Sequence, residues 1–104
     1  MGAIVVLTTA PDRKSAQKIA RRLVMDKLAA CVTLVAGVTS IYHWKNKVEK
    51  SREALLIVKT SQTRWNAVRK QILSDHPYDL PEVIALPIRS GSKKYLSWLE
   101  RSVR

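Results

Sequence analysis

His76 is the residue with the most chemistry open to it. It stands between Asp75 and Pro77, with Asp79 and Glu82 a few positions further on, so one imidazole has three carboxylates close by in sequence. One imidazole with oxygen donors suits a labile Cu(II) or Zn(II) site of moderate affinity, not a closed structural one. Such a site needs the neutral ring, so metal affinity should fall below about pH 6. The structural use of the same residue is to bond the last carbonyls of a helix. His43, flanked by Tyr42 and Trp44, reads as an exposed neighbour of hairpin aromatics. Cys31 is the only cysteine and opens an apolar strand, as a small core residue does. His76 with Asp79 would make an acid–base pair. No nucleophile, Gly-rich phosphate loop, His-Glu-x-x-His helix or Gly-x-Ser-x-Gly elbow accompanies it, so the chain reads as a binding protein and not an enzyme.

Composition narrows the setting for that chemistry. Across 104 residues there are 19 Lys and Arg against 8 Asp and Glu, a formal net charge of +11. Length predicts one domain over residues 1–104. With 3 Gly and 4 Pro in the whole chain, a flexible linker and a disordered or collagen-like architecture are excluded. The positive charge is spread over every element, apart from a helix-face cluster of Lys14, Lys18, Arg21 and Arg22 and the pair Lys93 and Lys94. A solvated cationic surface is therefore the principal reading. Non-specific nucleic-acid binding, weak and steeply salt-dependent, is the lesser one. The apolar run Ala3 to Leu7 is too short for a signal core or a membrane span. A lone cysteine fits the reducing cytoplasm, which is the expected compartment.

The elements that must position these side chains follow from the spacing of apolar residues. Ala3 to Thr9 reads as a central strand. Asp12 is an N-cap for a helix of about five turns, with Ala16, Ile19, Ala20, Leu23, Val24 and Leu28 inward. Two long strands, from Ala30 to Trp44 with a bulge at Ala36-Gly37 and from Val48 to Thr60, are joined at Lys45-Asn46-Lys47. Thirteen extended residues reach roughly 40 Å, beyond the ~25–30 Å width of a domain this size. The hairpin tip should project, and its exposed aromatics imply oligomerisation through residues 30–60. Ser61 caps a second helix with Trp65, Val68, Ile72 and Leu73 inward, ending before Pro77. Glu82 to Ile88 returns to strand, with Pro87 marking an edge or a bulge, and a last helix turns Leu96, Leu99 and Val103 inward. Glu49 and Glu53 are placed to pair with cations across the hairpin. The order βαββαβ plus a C-terminal helix predicts an α+β, ferredoxin-like domain: a four-stranded antiparallel sheet with both long helices on one face.

Six segments in this order resemble the CutA family, the proteins named for divalent-cation tolerance. They are Thr8-Thr9-Ala10-Pro11-Asp12, Leu28-Ala29-Ala30-Cys31-Val32, the stretch from Gly37 to Lys45 with Tyr42-His43-Trp44, Leu56-Ile57-Val58-Lys59-Thr60, the stretch from His76 to Ile84, and Tyr95-Leu96-Ser97-Trp98-Leu99. The resemblance implies a homotrimer shaped like the PII signalling proteins, binding copper or other divalent metal ions and contributing to metal homeostasis. It also implies Tyr42, Trp44, Lys59 and Glu82 as residues of an intersubunit cleft and His76 as the surviving metal ligand. Some metal-binding members carry Cys where this chain has Thr8, and a second His where it has Asp75. The alternative is a PII-like signalling or scaffold trimer that takes a small anionic ligand or a protein partner in the cleft.

Overall fold

Residues 2–104 are described by a computed structural model. Its elements run β1 (Ala3–Ala10), α1 (Arg13–Met25), β2 (Cys31–Trp44), β3 (Lys47–Ser61), a 3-10 turn (Gln62–Arg64), α2 (Trp65–Asp75), β4 (Ile84–Pro87) and α3 (Lys93–Ser102). The strands form one antiparallel sheet in the order β2-β3-β1-β4. This is the ferredoxin-like arrangement with one added helix. Ile4, Val6, Ala10, Ala54, Leu56 and Val58 project from one face of the sheet and pack with Ala16, Ile19 and Leu23 of α1 and Val68 and Ile72 of α2. β-Branched and leucine side chains at alternate positions produce that face, and the 3.6-residue repeat of the helices covers it. α3 packs against β1 and β3, and Arg64 Nε donates to the Val103 carbonyl at its end at 2.6 Å.

The hairpin is as long as its sequence required. β2 has 14 residues and β3 has 15, and the molecule measures 44 × 25 × 23 Å. Trp44 pairs with Lys47, and Lys45 and Asn46 between them have φ of 50° and 65°. That is the two-residue turn whose twist matches the strands, and asparagine tolerates its backbone. The register shifts between Val35 and Val38, where Ala36 and Gly37 together oppose Ala54. Gly37 sits at φ +70° with Arg52 Nη2 only 3.1 Å from where a Cβ would be, so the bulge needs glycine. Without the extra residue every side chain beyond it would change faces. The bulge thereby brings Tyr42 and Trp44 to the same side as Glu49 and Lys47, and the Tyr42 hydroxyl meets Ser51 Oγ at 2.7 Å.

The second face of the sheet is apolar but only half covered. Val5, Leu7, Leu55 and Ile57 are partly buried, while Val35, Ile84 and Leu86 are 41%, 48% and 48% exposed.

Several boundaries differ from the sequence expectations. The first helix stops at Met25, not beyond Leu28. Lys27 takes φ +57°, its N–H bonds the Val24 carbonyl at 3.1 Å and that of Leu28 bonds the Leu23 carbonyl at 2.9 Å. This is a Schellman cap closed by lysine instead of glycine, and Leu28 packs on the core from outside the helix. Val24 and Leu73 are 42% and 44% exposed, so the buried stripes are narrower than the spacing implied. Ser61 bonds Thr63 Oγ1 and makes no side-chain cap, since a 3-10 turn intervenes before α2. β4 is four residues long because Glu82 and Val83 belong to the preceding loop. Asp12 caps α1 as expected, its carboxylate accepting from the Ser15 N–H at 2.7 Å. That bond holds the Asp12 carboxyl below its usual value.

Lysine in the left-handed region at Lys27 is strained where glycine is not. Lys27→Gly should stabilise the protein by about 1 kcal/mol, read as a higher urea midpoint at fixed protein concentration.

Candidate functional site

The segment after α2 is fastened to the sheet by His76. Its Nε2 lies 2.6 Å from the Thr9 carbonyl, and its Nδ1 accepts from the Tyr78 N–H at 3.1 Å. A carbonyl can only accept and an amide N–H can only donate, so the partners fix the tautomer: Nε2 carries the proton and the ring is neutral. The side chain is 9% exposed. Both ring nitrogens are thus occupied by backbone groups, which leaves no lone pair for a metal. Asp75, its sequence neighbour, accepts from Gln71 Nε2 at 2.9 Å. Thr8 is fully buried, and its hydroxyl has no hydrogen-bond partner among the described residues. Among the described residues no three His, Cys, Asp or Glu side chains converge as a metal cage.

Tyr78 extends the fastening. Its ring lies 4.7 Å from that of His76, and its hydroxyl donates to Glu53 Oε2 at 2.6 Å. Burial first, and the Glu53 carboxylate second, raise the Tyr78 hydroxyl well above its ordinary pKa. It therefore stays protonated, and a donor, throughout the physiological range. Glu53 is 7% exposed. It forms no cross-strand ion pair; the single salt bridge among the described residues joins Arg22 to Asp26 on α1, where both side chains are exposed. The sequence placed Glu53 on the hairpin but could not reveal a tyrosine 25 residues away as its partner.

Between the hairpin and the 77–82 loop lies an open groove of ≈ 760 Å³. Glu53, Tyr78 and Thr9, buried or half-buried, form its floor; Tyr42, His43, Trp44, Asp79, Leu80 and Glu82, all exposed, stand around its rim. Three of the chain's 8 acidic residues are gathered here, and none of its 19 Lys and Arg lines it. An acidic, aromatic groove in a chain of net charge +11 concentrates cations against the overall field. It is the wrong sign for the anionic ligand considered from the sequence.

Of the cleft residues that the family resemblance implied, Tyr42, Trp44 and Glu82 come together in this groove. Lys59 does not. It pairs with Cys31 at the far end of the hairpin, where its ammonium donates to Thr33 Oγ1 at 3.1 Å and lies 3.7 Å from Cys31 Sγ. Cys31 itself is partly exposed on the second face of the sheet, not in the core. His43, read in the sequence as an exposed neighbour of the hairpin aromatics, is exposed and borders the groove, its side chain alternating to the strand face opposite Tyr42 and Trp44.

A family model described as CutA1 divalent ion tolerance protein matches residues 4–102. The chloroplastic protein CutA of Arabidopsis thaliana is 48% identical over 102 residues, covering 98% of this chain and 56% of that protein. The chain thus spans little more than half the length of that plant relative. The divalent-cation tolerance protein CutA of Yersinia pestis (strain Pestoides F) is 48% identical over 101 residues, covering 97% of this chain and 85% of the relative. Among solved structures, CutA from Xylella fastidiosa superposes with a TM-score of 0.97 at 38% identity, covering 100% of both chains.

Removing the Tyr78 hydroxyl leaves a buried carboxylate oxygen without its donor. Tyr78→Phe should destabilise the protein by about 1–3 kcal/mol, measured by urea denaturation at fixed concentration. Tyr42→Phe, which removes only the exposed pair with Ser51, should change stability by less than about 0.5 kcal/mol.

Proposed function

The chain belongs to the CutA1 divalent ion tolerance family, and from that premise we propose that it works as a cytoplasmic homotrimer that binds copper or another divalent cation and contributes to metal homeostasis. The observation that carries the cation reading is the groove: three acidic residues and no lysine or arginine among its lining residues.

Cu(II) would be drawn in by the charge of Asp79 and Glu82 on the rim and captured singly at the exposed imidazole of His43 on the adjoining hairpin, since no three such side chains converge among the described residues. Imidazole suits Cu(II), and the exposed setting suits weak, reversible capture. His76 is not assigned as the ligand, because metal binding there would break its bonds to Thr9 and Tyr78. The reading is of a binding protein, with no residue placed for catalysis. Copper would be cargo, bound through the unprotonated ring nitrogen that a metal ligand must present.

The trimer is supported by the two uncovered parts of the sheet. One is the free edge of β2 and the other is the half-exposed face carrying Val35, Ile84 and Leu86. Both are satisfied when further copies of the same chain extend the sheet and cover its face. The lone Cys31 suits a reducing compartment.

Calorimetric titration with Cu(II) at pH 7 should give saturable binding of about one ion per chain, lost in His43→Ala and retained in a folded His76→Ala. Binding lost in His76→Ala and kept in His43→Ala would return the metal to His76 and overturn the assignment.

A further inference from the structure

Glu53 lacks a counter-charge. Its residue is 7% exposed, its Oε2 takes one hydrogen bond from the neutral Tyr78 hydroxyl, and no salt bridge reaches it among the described residues. A carboxylate this buried is stable when a cation faces it, and a single neutral hydrogen bond is a poor substitute. The carboxylate lines the groove, so the missing cation has a route to it.

The surroundings select the kind of cation. A divalent metal ion needs several oxygen or nitrogen donors converging within bonding distance, and no three such side chains converge among the described residues. Here the negative charge is dispersed instead: Glu53 on the floor, Asp79 and Glu82 on the rim, with the aromatic side chains of Tyr42, Trp44 and Tyr78 lining the same groove. Dispersed carboxylates suit a molecule with more than one positive centre. Aromatic faces attract alkylammonium groups and pack against methylene chains, contacts that a hydrated metal ion does not exploit. A groove of ≈ 760 Å³ is of the size that takes a small organic molecule.

We propose that this groove binds a linear aliphatic polyamine, with one ammonium group against Glu53, the methylene chain along the aromatic residues and a second ammonium at Asp79 and Glu82. It shares the rim carboxylates with the copper reading but does not need His43, on which that reading turns. The same alkylammonium chemistry is carried by a lysine side chain of a second copy. The two sources differ in outcome, because a groove already filled by a neighbouring copy has no room for added amine.

The test is calorimetric titration of the intact protein with spermidine at pH 7 and physiological salt. The expected result is saturable binding of about one molecule per chain, weakened about tenfold or more in Glu53→Gln and several-fold in Trp44→Ala. Glu100→Gln, on α3 and outside the groove, should bind as the parent does. Magnesium ions at equal charge concentration should displace spermidine only weakly. Circular dichroism checks that Glu53→Gln is folded, and Trp44→Ala, on the exposed hairpin, keeps the test decisive if it is not. Absence of saturable binding, indifference to both groove variants, or full displacement by magnesium would overturn the proposal. Loss of copper binding in His43→Ala, with spermidine binding intact, would separate the two readings.

Discussion

The free edge of β2 is the constraint on which the rest of the structure depends. The sheet has two edges, and the chain treats them differently. β4 is four residues long and ends in Pro87, so little of it can recruit another strand. β2 runs for 14 residues beside β3 with nothing on its other side, and no proline interrupts it. An unpaired edge of that length is a template for pairing with another chain. The overhang follows from the same cause, since a 44 Å long axis against widths of 25 and 23 Å is set by the hairpin. The half-covered apolar face of the sheet makes the same demand from a second direction. Together they are the two features that the proposed self-association would satisfy.

The hairpin and the loop after α2 then create the groove between them. On the hairpin side, the bulge at Ala36-Gly37 restores the alternation that sends Tyr42 and Trp44 to the side of Ser51 and Glu53. On the loop side, His76 ties residues 76–78 to the end of β1, which brings the Tyr78 hydroxyl onto Glu53. His76 therefore acts through Tyr78: it is the peg that holds the loop, bonded at both ring nitrogens by backbone groups. Three acidic residues and no lysine or arginine are among the groove's lining residues, in a molecule whose net charge is +11.

Much of this was legible in the sequence, and the parts that were not share a physical reason. Asp12 as a cap, the bulge at Gly37, the tight turn at Asn46 and the excess length of the hairpin are local properties, written in residues a few positions apart. The end of α1 was misjudged because Lys27 adopts a conformation normally left to glycine, so the stop signal was absent from the residue type. Leu73 matched the helical repeat, yet α2 follows a 3-10 turn and buries only a narrow stripe. The site was harder still. His76 is held by a carbonyl 67 positions away, and Glu53 by a hydroxyl 25 positions away, contacts that no periodicity encodes. Lys59 shares a strand with Glu53 but lies at the other end of the hairpin, where it faces Cys31 and Thr33. His43 drew little attention in the sequence because exposed hairpin residues usually bear on solubility.

The account stands or falls on whether the β2 edge is paired in solution. Hydrogen exchange of the intact protein, resolved over residues 38–44, reads this directly, because outward-facing amides of an unpaired edge have only water as a partner. Protection of those amides comparable to that of β1 in the centre of the sheet is the predicted result. Exchange at the rate of an unstructured peptide along the outer side of β2, with β1 still protected, would contradict it.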